Sequence, residues 1–264
     1  MSLDAHERHT TCPRVRFVAC VIVVICVGTV PAARAQELFP GFDFHFDSRY
    51  VSSGDPRFTW LFDLGGRIDA VRSDRVRVSF IGGYEAIAGE EFRRFDVNQG
   101  NYLLEGAVLV RVAGIEIGPV WHHISRHLSD RTKRFAIDWN MIAVRAQGDR
   151  RSGPLDVAWR ADARATVTRA FVDYDWEVEA RGEVAYRLGP RLGWTADTTV
   201  RVVGMDDAGG RGSQLDGRVE TGIRLEGQGA AAQLFIGVER RLDPYPLELG
   251  TASWFLTGLR VSSR

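Results

Sequence analysis

The chain has 264 residues, with 34 basic and 34 acidic side chains and a formal net charge of zero. This balance excludes a polybasic nucleic-acid-binding protein and an acidic disordered protein, because both need a large excess of one sign of charge. Lys133 is the only lysine, so arginine supplies nearly all of the positive charge. The sequence contains neither a phosphate-binding loop nor a dinucleotide-binding fingerprint.

The first 35 residues have the organisation of a secretory signal peptide. A basic segment ending at Arg16 precedes the apolar run 17–30, and alanines at positions 33 and 35 form a cleavage site, which predicts a mature chain starting at Gln36. A membrane-anchoring helix is the alternative, but the apolar run is shorter than the roughly 20 residues that cross a bilayer. The three cysteines lie in this segment, so the mature chain would have neither disulfides nor cysteine ligands.

From residue 42 onward, apolar and charged residues alternate with the period of two that is typical of β-strands. In the segment 176–188, Trp176, Val178 and Tyr186 share one face, and Glu177 and Arg187 lie on the other. Each segment of this kind has one apolar and one charged face. The pattern predicts twelve strands: 42–50, 58–71, 76–88, 101–112, 115–124, 135–146, 155–167, 176–188, 191–203, 214–225, 230–242 and 250–261.

The lengths of the segments and of their connections favour a transmembrane barrel. Most segments have 9–14 residues, and a tilted strand needs roughly 9–11 to cross a bilayer. Short connections such as 113–114 alternate with longer ones such as 168–175, as in outer-membrane barrels; 147–154 is an exception. We therefore predict an all-β fold in which residues 36–264 form one antiparallel transmembrane β-barrel of the bacterial outer membrane. A secreted β-sandwich or lipocalin-like barrel, with its apolar face inside, is the alternative.

The tryptophans and the charged faces lead to two further predictions. Tryptophans near strand ends indicate aromatic girdles at the two membrane interfaces. The charged faces must then line the lumen, where arginine and carboxylates in nearly equal numbers predict a salt-bridged interior rather than a wide channel. The long-loop girdle would contain Trp60, Trp121, Trp139, Trp176 and Trp254, and the short-turn girdle Trp159 and Trp194.

One cluster of chemistry-bearing residues lies at the long-loop end of 115–124. His123 and Ser125 are two residues apart, so on a strand they share a face, with Cα atoms roughly 6.5 Å apart. A serine nucleophile needs such a base, and the base needs a group that orients it. On the next segment, Asp138 and Asn140 are the candidates for that group.

The orientation of these residues decides which substrates are reachable. Strand parity places His123 and Ser125 on the lipid-facing side, where a catalytic pair would serve a lipid esterase. Two residues of the same segment give opposite answers for Asp138 and Asn140. If Trp139 faces lipid, both residues point inward. If the arginine at position 145 faces the lumen, both point outward, so their orientation stays open. The conflict predicts a β-bulge near residue 141 or 143.

His123-x-Ser125 followed by Trp139-Asn140 resembles the His-x-Ser…Trp-Asn arrangement of outer-membrane phospholipase A, a twelve-stranded barrel. The resemblance implies that Ser125 is the nucleophile, His123 the base and Asn140 the orienting residue, all facing lipid, and that calcium is a cofactor. The His-x-Ser motif is also similar to that of lipid A deacylase, whose third member is an acid, a role for Asp138.

Over more of the chain, the sequence resembles an uncharacterised bacterial outer-membrane barrel family. The similarity lies in a Phe-Pro stretch after the signal, in the Asp-Pro-Arg run at 55–57, and in a His-x-Ser-x-His-x-x-Asp stretch at 123–130. This resemblance implies the barrel fold and no activity.

Two other interpretations of the cluster remain open. His123 and Ser125 could simply form a hydrogen-bonded pair that anchors the loop at the membrane interface. His122, His127 and Asp130 are candidate ligands for zinc or copper. The same loop is basic, which suits lipopolysaccharide phosphates or a substrate headgroup, through Arg126, Arg131, Lys133 and Arg134.

Together, these observations predict an integral outer-membrane barrel whose partners are membrane lipids and lipopolysaccharide and not nucleic acid. The first functional hypothesis is a structural, envelope-associated protein with a charge-filled lumen. The alternative is a hydrolase of phospholipid or lipid A esters that uses Ser125 and His123, and the third is a small-solute pore. We expect no cofactor, apart from calcium if the protein is a phospholipase.

Overall fold

The computed structural model describes residues 37–129 and 135–263, so the predicted signal peptide lies outside the described residues. Within them, each strand pairs antiparallel with the next, and β1 pairs with β12 to close a barrel. The predicted fold is confirmed. The strands are β1 (Glu37–Val51), β2 (Trp60–Arg72), β3 (Val76–Gly89), β4 (Asp96–Val112), β5 (Ile115–Leu128), β6 (Asp138–Ser152), β7 (Leu155–Ala170), β8 (Tyr174–Arg187), β9 (Leu192–Met205), β10 (Ser213–Glu226), β11 (Ala230–Leu242) and β12 (Thr251–Ser263).

The two faces of each strand differ as the alternation predicts. On β6, buried Met141, Ala143 and Arg145 alternate with exposed Ile142 and Val144. The outer surface is therefore apolar and most of the charged residues point inward, which is the reverse of the lipocalin-like alternative. In the described part of the chain, no helix is long and apolar enough to cross a membrane.

The turns at one end of the barrel are short because the hairpins close tightly. Ala113 and Gly114 both have positive φ (51° and 84°), as the two-residue turn that matches strand twist requires.

Two predicted connections were too long. β6 and β7 stay paired up to Ser152 and Leu155, which reduces 147–154 to a two-residue turn, and the loop expected at 168–175 shrinks to residues 171–173.

Ion pairs fill the interior at mid-height, as the charge pattern predicts. Arg145, only 2% exposed, binds Asp162 through Nε at 2.6 Å and Glu105 through Nη2 at 2.9 Å. Arg164 extends the network, with Nη2 2.9 Å from Asp162 Oδ2 and a second ion pair to Glu177. A buried charge is tolerated only when it is paired in this way.

Apolar clusters lie inside the barrel towards the long-loop end, and two predictions about tryptophan fail there. Trp139 and Trp254 are 3% and 4% exposed and point inward, so neither belongs to an aromatic girdle. The reason is two apolar clusters inside the barrel, which let apolar residues occupy the inward positions of β6 and β12. The cluster around Trp139 contains Met141, Tyr174, Val203, Met205 and Leu242, and the one around Trp254 contains Val51, Phe58, Leu61, Ile87, Leu128, Phe235, Tyr245 and Leu256.

The loop between β11 and β12 folds across the mouth of the barrel. Arg126 donates from Nη1 to the Asp243 carbonyl at 2.8 Å, and Gln99 donates to the Pro244 carbonyl at 2.8 Å. Arg126 is therefore buried inside the barrel, and the prediction that it makes an outer loop basic is wrong. The other three basic residues of that prediction lie in 130–134, outside the described residues.

A second contact joins two loops at this end. Arg57, between β1 and β2, binds Asp55 at 2.7 Å and Glu248, between β11 and β12, at 2.7 Å. Hydrogen bonds from Arg57 lower the pKa of both carboxyl groups, and the same bonds, chiefly the one to Glu248, raise the pKa of Arg57. The two loops are thus tied together by charge at neutral pH.

Candidate functional site

A polar patch lies on the outer surface of β5, near the long-loop end. His123, Ser125 and His127 occupy successive outward positions, whereas the neighbouring His122 and Arg126 point inward and are buried. Strand parity thus places His123 and Ser125 on the side that would face lipid in a membrane.

His123 has a partner on the neighbouring strand. It lies directly opposite Asn140 of β6, and His123 Nδ1 is 3.0 Å from Asn140 Oδ1. The Asn140 amide nitrogen donates to Thr168 Oγ1 at 3.0 Å, and the Trp121 ring stacks on the imidazole with 6.0 Å between centroids. Because an amide oxygen only accepts hydrogen bonds, this arrangement places the His123 proton on Nδ1 and leaves Nε2 as an acceptor.

The open question about Asp138 and Asn140 is resolved by this geometry, since both point outward. The β-bulge predicted near residue 141 or 143 is not found in β6, although the pairing of β6 with β7 shifts register between Asn140 and Met141. Val167 of β7 is the residue left unpaired there, because Asn140 is opposite Thr168 and Met141 is opposite Thr166. The alternation of β6 itself is uninterrupted, and for that reason Trp139 points inward.

Ser125 contacts a different histidine from the one that the sequence analysis paired with it. Ser125 Oγ lies 2.8 Å from His127 Nε2, and the Tyr102 ring packs edge-on against His127 with 5.2 Å between centroids. Across the strands, Ser125 lies between Tyr102 and Asp138. Parity could have identified His127 as a neighbour of Ser125, since the two residues are two positions apart on one strand.

The candidate metal ligands are not brought together. His122 points inward, with Nδ1 2.7 Å from Glu105 Oε1, whereas His127 points outward, so the barrel wall separates them. Asp130 lies outside the described residues, and the described ones contain no group of three His, Cys, Asp or Glu side chains placed to hold a metal ion. Calcium needs six to eight oxygen ligands, and the residues described around Ser125 do not fit such a site.

Comparison with known proteins identifies the fold. No protein-family profile matches the chain, and no curated protein sequence matches it. Among solved structures, the NanC porin has a TM-score of 0.50 at 9% identity over 84% of this chain and 99% of that chain. An outer-membrane channel from Pseudomonas putida F1 has a TM-score of 0.50 at 11% identity over 89% and 99%.

The outer membrane phospholipase A from Escherichia coli is similar to the same degree, with a TM-score of 0.50 at 12% identity over 86% of this chain and 98% of that chain. At these identities the similarity concerns the fold and not the activity, because one barrel can carry unrelated functions. The chain therefore has the barrel fold of outer-membrane proteins.

Proposed function

We propose that the protein is an integral outer-membrane hydrolase of lipid esters, with Ser125 as its nucleophile. The observation that carries the proposal is the hydrogen bond between His123 and Asn140 on the outer surface of the barrel. It supplies an oriented base next to a serine on the surface that membrane lipids would cover. Polar groups that face hydrocarbon are costly and are most often functional.

The proposed reaction is a two-step acyl transfer. The Ser125 hydroxyl attacks the ester carbonyl, His123 Nε2 accepts the hydroxyl proton, and the imidazolium then protonates the leaving alcohol. Water hydrolyses the acyl-enzyme with the same base. Asn140 fixes the tautomer and orientation of His123 through its bond to Nδ1.

His127 has a separate role in this proposal. It binds the Ser125 hydroxyl in the resting structure at 2.8 Å. The proposal requires one rotation about the Cα–Cβ bond of Ser125, between staggered rotamers, to bring the hydroxyl from His127 to His123. We assign the base to His123 because the Asn140 amide oxygen orients it.

The interior of the barrel favours this function over a pore. The ion pair between Arg241 of β11 and Glu85 of β3 bridges the lumen, and the loop 243–250 covers the long-loop mouth, where Asp243 and Tyr245 are buried. Solute flow would require both obstacles to move, whereas a substrate on the outer surface reaches Ser125 directly from the bilayer.

The test is release of fatty acid from phospholipid and from lipid A in mixed detergent micelles. We expect the purified protein to hydrolyse at least one of them and Ser125→Ala to lose at least about 10³-fold in rate. Ser48→Ala is the matched control, since Ser48 also points outward, on β1, and should keep full activity. Equal rates for Ser125→Ala and the unmodified protein would refute the proposal, as would no release from either lipid. Rates with and without a chelator decide whether calcium takes part.

A further inference from the structure

A second feature of the outer surface lies on β9–β12, away from the polar patch. It is a groove of about 560 Å³, which is in the size range of small-ligand sites. Its outward-facing wall is apolar and lies towards the long-loop end of these strands. The wall is formed mainly by Val200, Leu215, Val219, Val238 and Phe255.

One row of residues across the strands explains why the groove is there. Arg240 of β11 lies opposite Gly217 of β10 and Ser253 of β12, and Gly217 in turn lies opposite Val200 of β9. Gly217 lines the groove, so the outward surface between Arg240 and Val200 carries no side chain at that position.

The next outward row, towards the short-turn end, is entirely apolar. Val219, Val238 and Phe255 lie opposite one another on β10, β11 and β12. Two residues along a strand correspond to roughly 6.7 Å. The groove therefore has a cationic and hydroxyl-bearing rim and an apolar floor a few ångströms deeper into the bilayer, which matches the arrangement of a lipid headgroup and its acyl chain.

Arg240 is exposed, and its contacts leave most of its hydrogen-bonding capacity unused. Nε donates to the Leu215 carbonyl at 3.1 Å, and within the described residues the structure shows no carboxylate paired with it. The neighbouring Arg241 points inward and binds Glu85. An arginine at the edge of hydrocarbon without a counter-ion is unfavourable, whereas its planar fork binds phosphate in a bidentate manner.

We propose that this groove binds one lipopolysaccharide molecule, with a lipid A phosphate on Arg240 and Ser253 and an acyl chain against Val238 and Phe255. Arg240 is two residues from the end of β11, where the long loop 243–250 begins. In an outer-membrane barrel this end faces the outer leaflet, where lipopolysaccharide lies. The inference rests on the outer-membrane location in the proposed function but not on the hydrolase chemistry.

The test is binding of purified lipid A to the detergent-solubilised barrel by native mass spectrometry, in a Ser125→Ala background so that hydrolysis does not consume the ligand. We expect Arg240→Gln to weaken binding about tenfold, the effect of losing one charge-assisted hydrogen-bonded contact. Arg150→Gln is the matched control, because Arg150 is an exposed arginine of β6 at the short-turn end, and it should bind as the parent does. Dephosphorylated lipid A should bind the parent as weakly as lipid A binds Arg240→Gln.

A second variant tests the apolar part of the groove while Arg240 remains. Val238→Trp fills the space for the acyl chain and should also weaken binding about tenfold. Heat-modifiable gel migration confirms that each variant is a folded barrel. Unchanged binding in Arg240→Gln overturns the proposal, and so does competition by phosphatidylglycerol at the same concentration as lipid A, since the site would then hold phospholipid. Fatty-acid release by Arg240→Gln with Ser125 intact is measured separately and reports only on the hydrolase.

Discussion

The interior of the barrel and the patch on its outer surface are both polar, but they differ in charge. Inside, Arg145 is held between the carboxylates of Glu105 and Asp162 and is almost completely buried. Outside, the hydrogen bonds around Ser125 join imidazoles to uncharged groups, His123 to Asn140 and His127 to Ser125, and the carboxylate opposite Ser125 is that of Asp138.

The difference separates polar groups that the fold needs from those that it does not need. Each partner of the interior network leaves an unpaired buried charge when it is removed, so the network is expected to determine stability. The outward positions can be apolar without harm, as Ile142 on the same face as Asn140 illustrates. We therefore expect the outer patch to determine activity and to contribute little to stability.

The strongest test of this comparison uses two adjacent histidines that point to opposite sides of β5. His123→Ala should reduce lipid hydrolysis about 10³-fold, since general acid–base catalysis contributes 10²–10⁴-fold, and should hardly change stability. His122→Ala should leave activity intact and lower the free energy of unfolding by about 1–3 kcal/mol, because Glu105 loses a buried hydrogen bond. Fatty-acid release and urea unfolding in micelles give the two readouts. If both variants affect the same readout, the separation of the two faces is wrong.

The interior network should give the next largest effect. Arg145→Met removes the cation that binds both Glu105 and Asp162 at hydrogen-bond distance and leaves Arg164 as their shared cation, which should lower the free energy of unfolding by about 3–5 kcal/mol. Urea unfolding followed by tryptophan fluorescence measures it, and the activity of the folded fraction should remain. Arg187→Met, at an exposed arginine, is the control and should stay within about 0.5 kcal/mol of the parent. A small loss in Arg145→Met would mean that water, and not protein, fills the lumen.

Removal of the orienting amide should have a moderate effect on activity alone. Asn140→Ala deletes the acceptor of His123 Nδ1, and comparable supporting groups are worth about 10–100-fold in activity. Val144→Ala, on the same outward face of β6, serves as the control. A rate for Asn140→Ala equal to that of the control would remove Asn140 from the site and leave His127 as the better candidate for the base.

The smallest effect concerns the loops joined by Arg57. The pKa values of Asp55 and Glu248 are lowered below their ordinary values of 3.8 and 4.5. The two ion pairs therefore contribute fully to stability when the pH is above these ordinary values. The contribution is lost as the pH falls through the lowered pKa values and the carboxylates become protonated. Both carboxyl groups are partly exposed, which limits the contribution to at most about 1 kcal/mol. Protease cleavage of the loop 243–250 should become faster below about pH 4 in the parent, and Arg57→Gln should abolish that dependence.

Sequence reasoning reached the fold because the outward faces of the strands are apolar over most of their length. It placed His123 and Ser125 on the outer surface correctly by parity alone. It could not orient Asp138 and Asn140, since the apolar cluster inside the barrel gives Trp139 and its neighbours an apolar environment on the inward face as well.

The contacts within the patch needed the register between strands. The pairing of His123 with Asn140 depends on how β5 aligns with β6, and the hairpin loop between them, which sets this alignment, has no distinctive sequence. The hydrogen bond between Ser125 and His127 depends on a side-chain rotamer, which the period of a strand does not determine.

The central claim is that Ser125 is an activated nucleophile that faces lipid. The most direct test is reaction of the folded barrel in micelles with a long-chain alkyl fluorophosphonate, followed by mass spectrometry of the labelled peptides. We predict a single adduct on Ser125, absent when His123 is replaced by alanine and retained when His122 is replaced. An unlabelled Ser125, or labelling that is equal at Ser125 and at outward-facing Ser48, would contradict the claim.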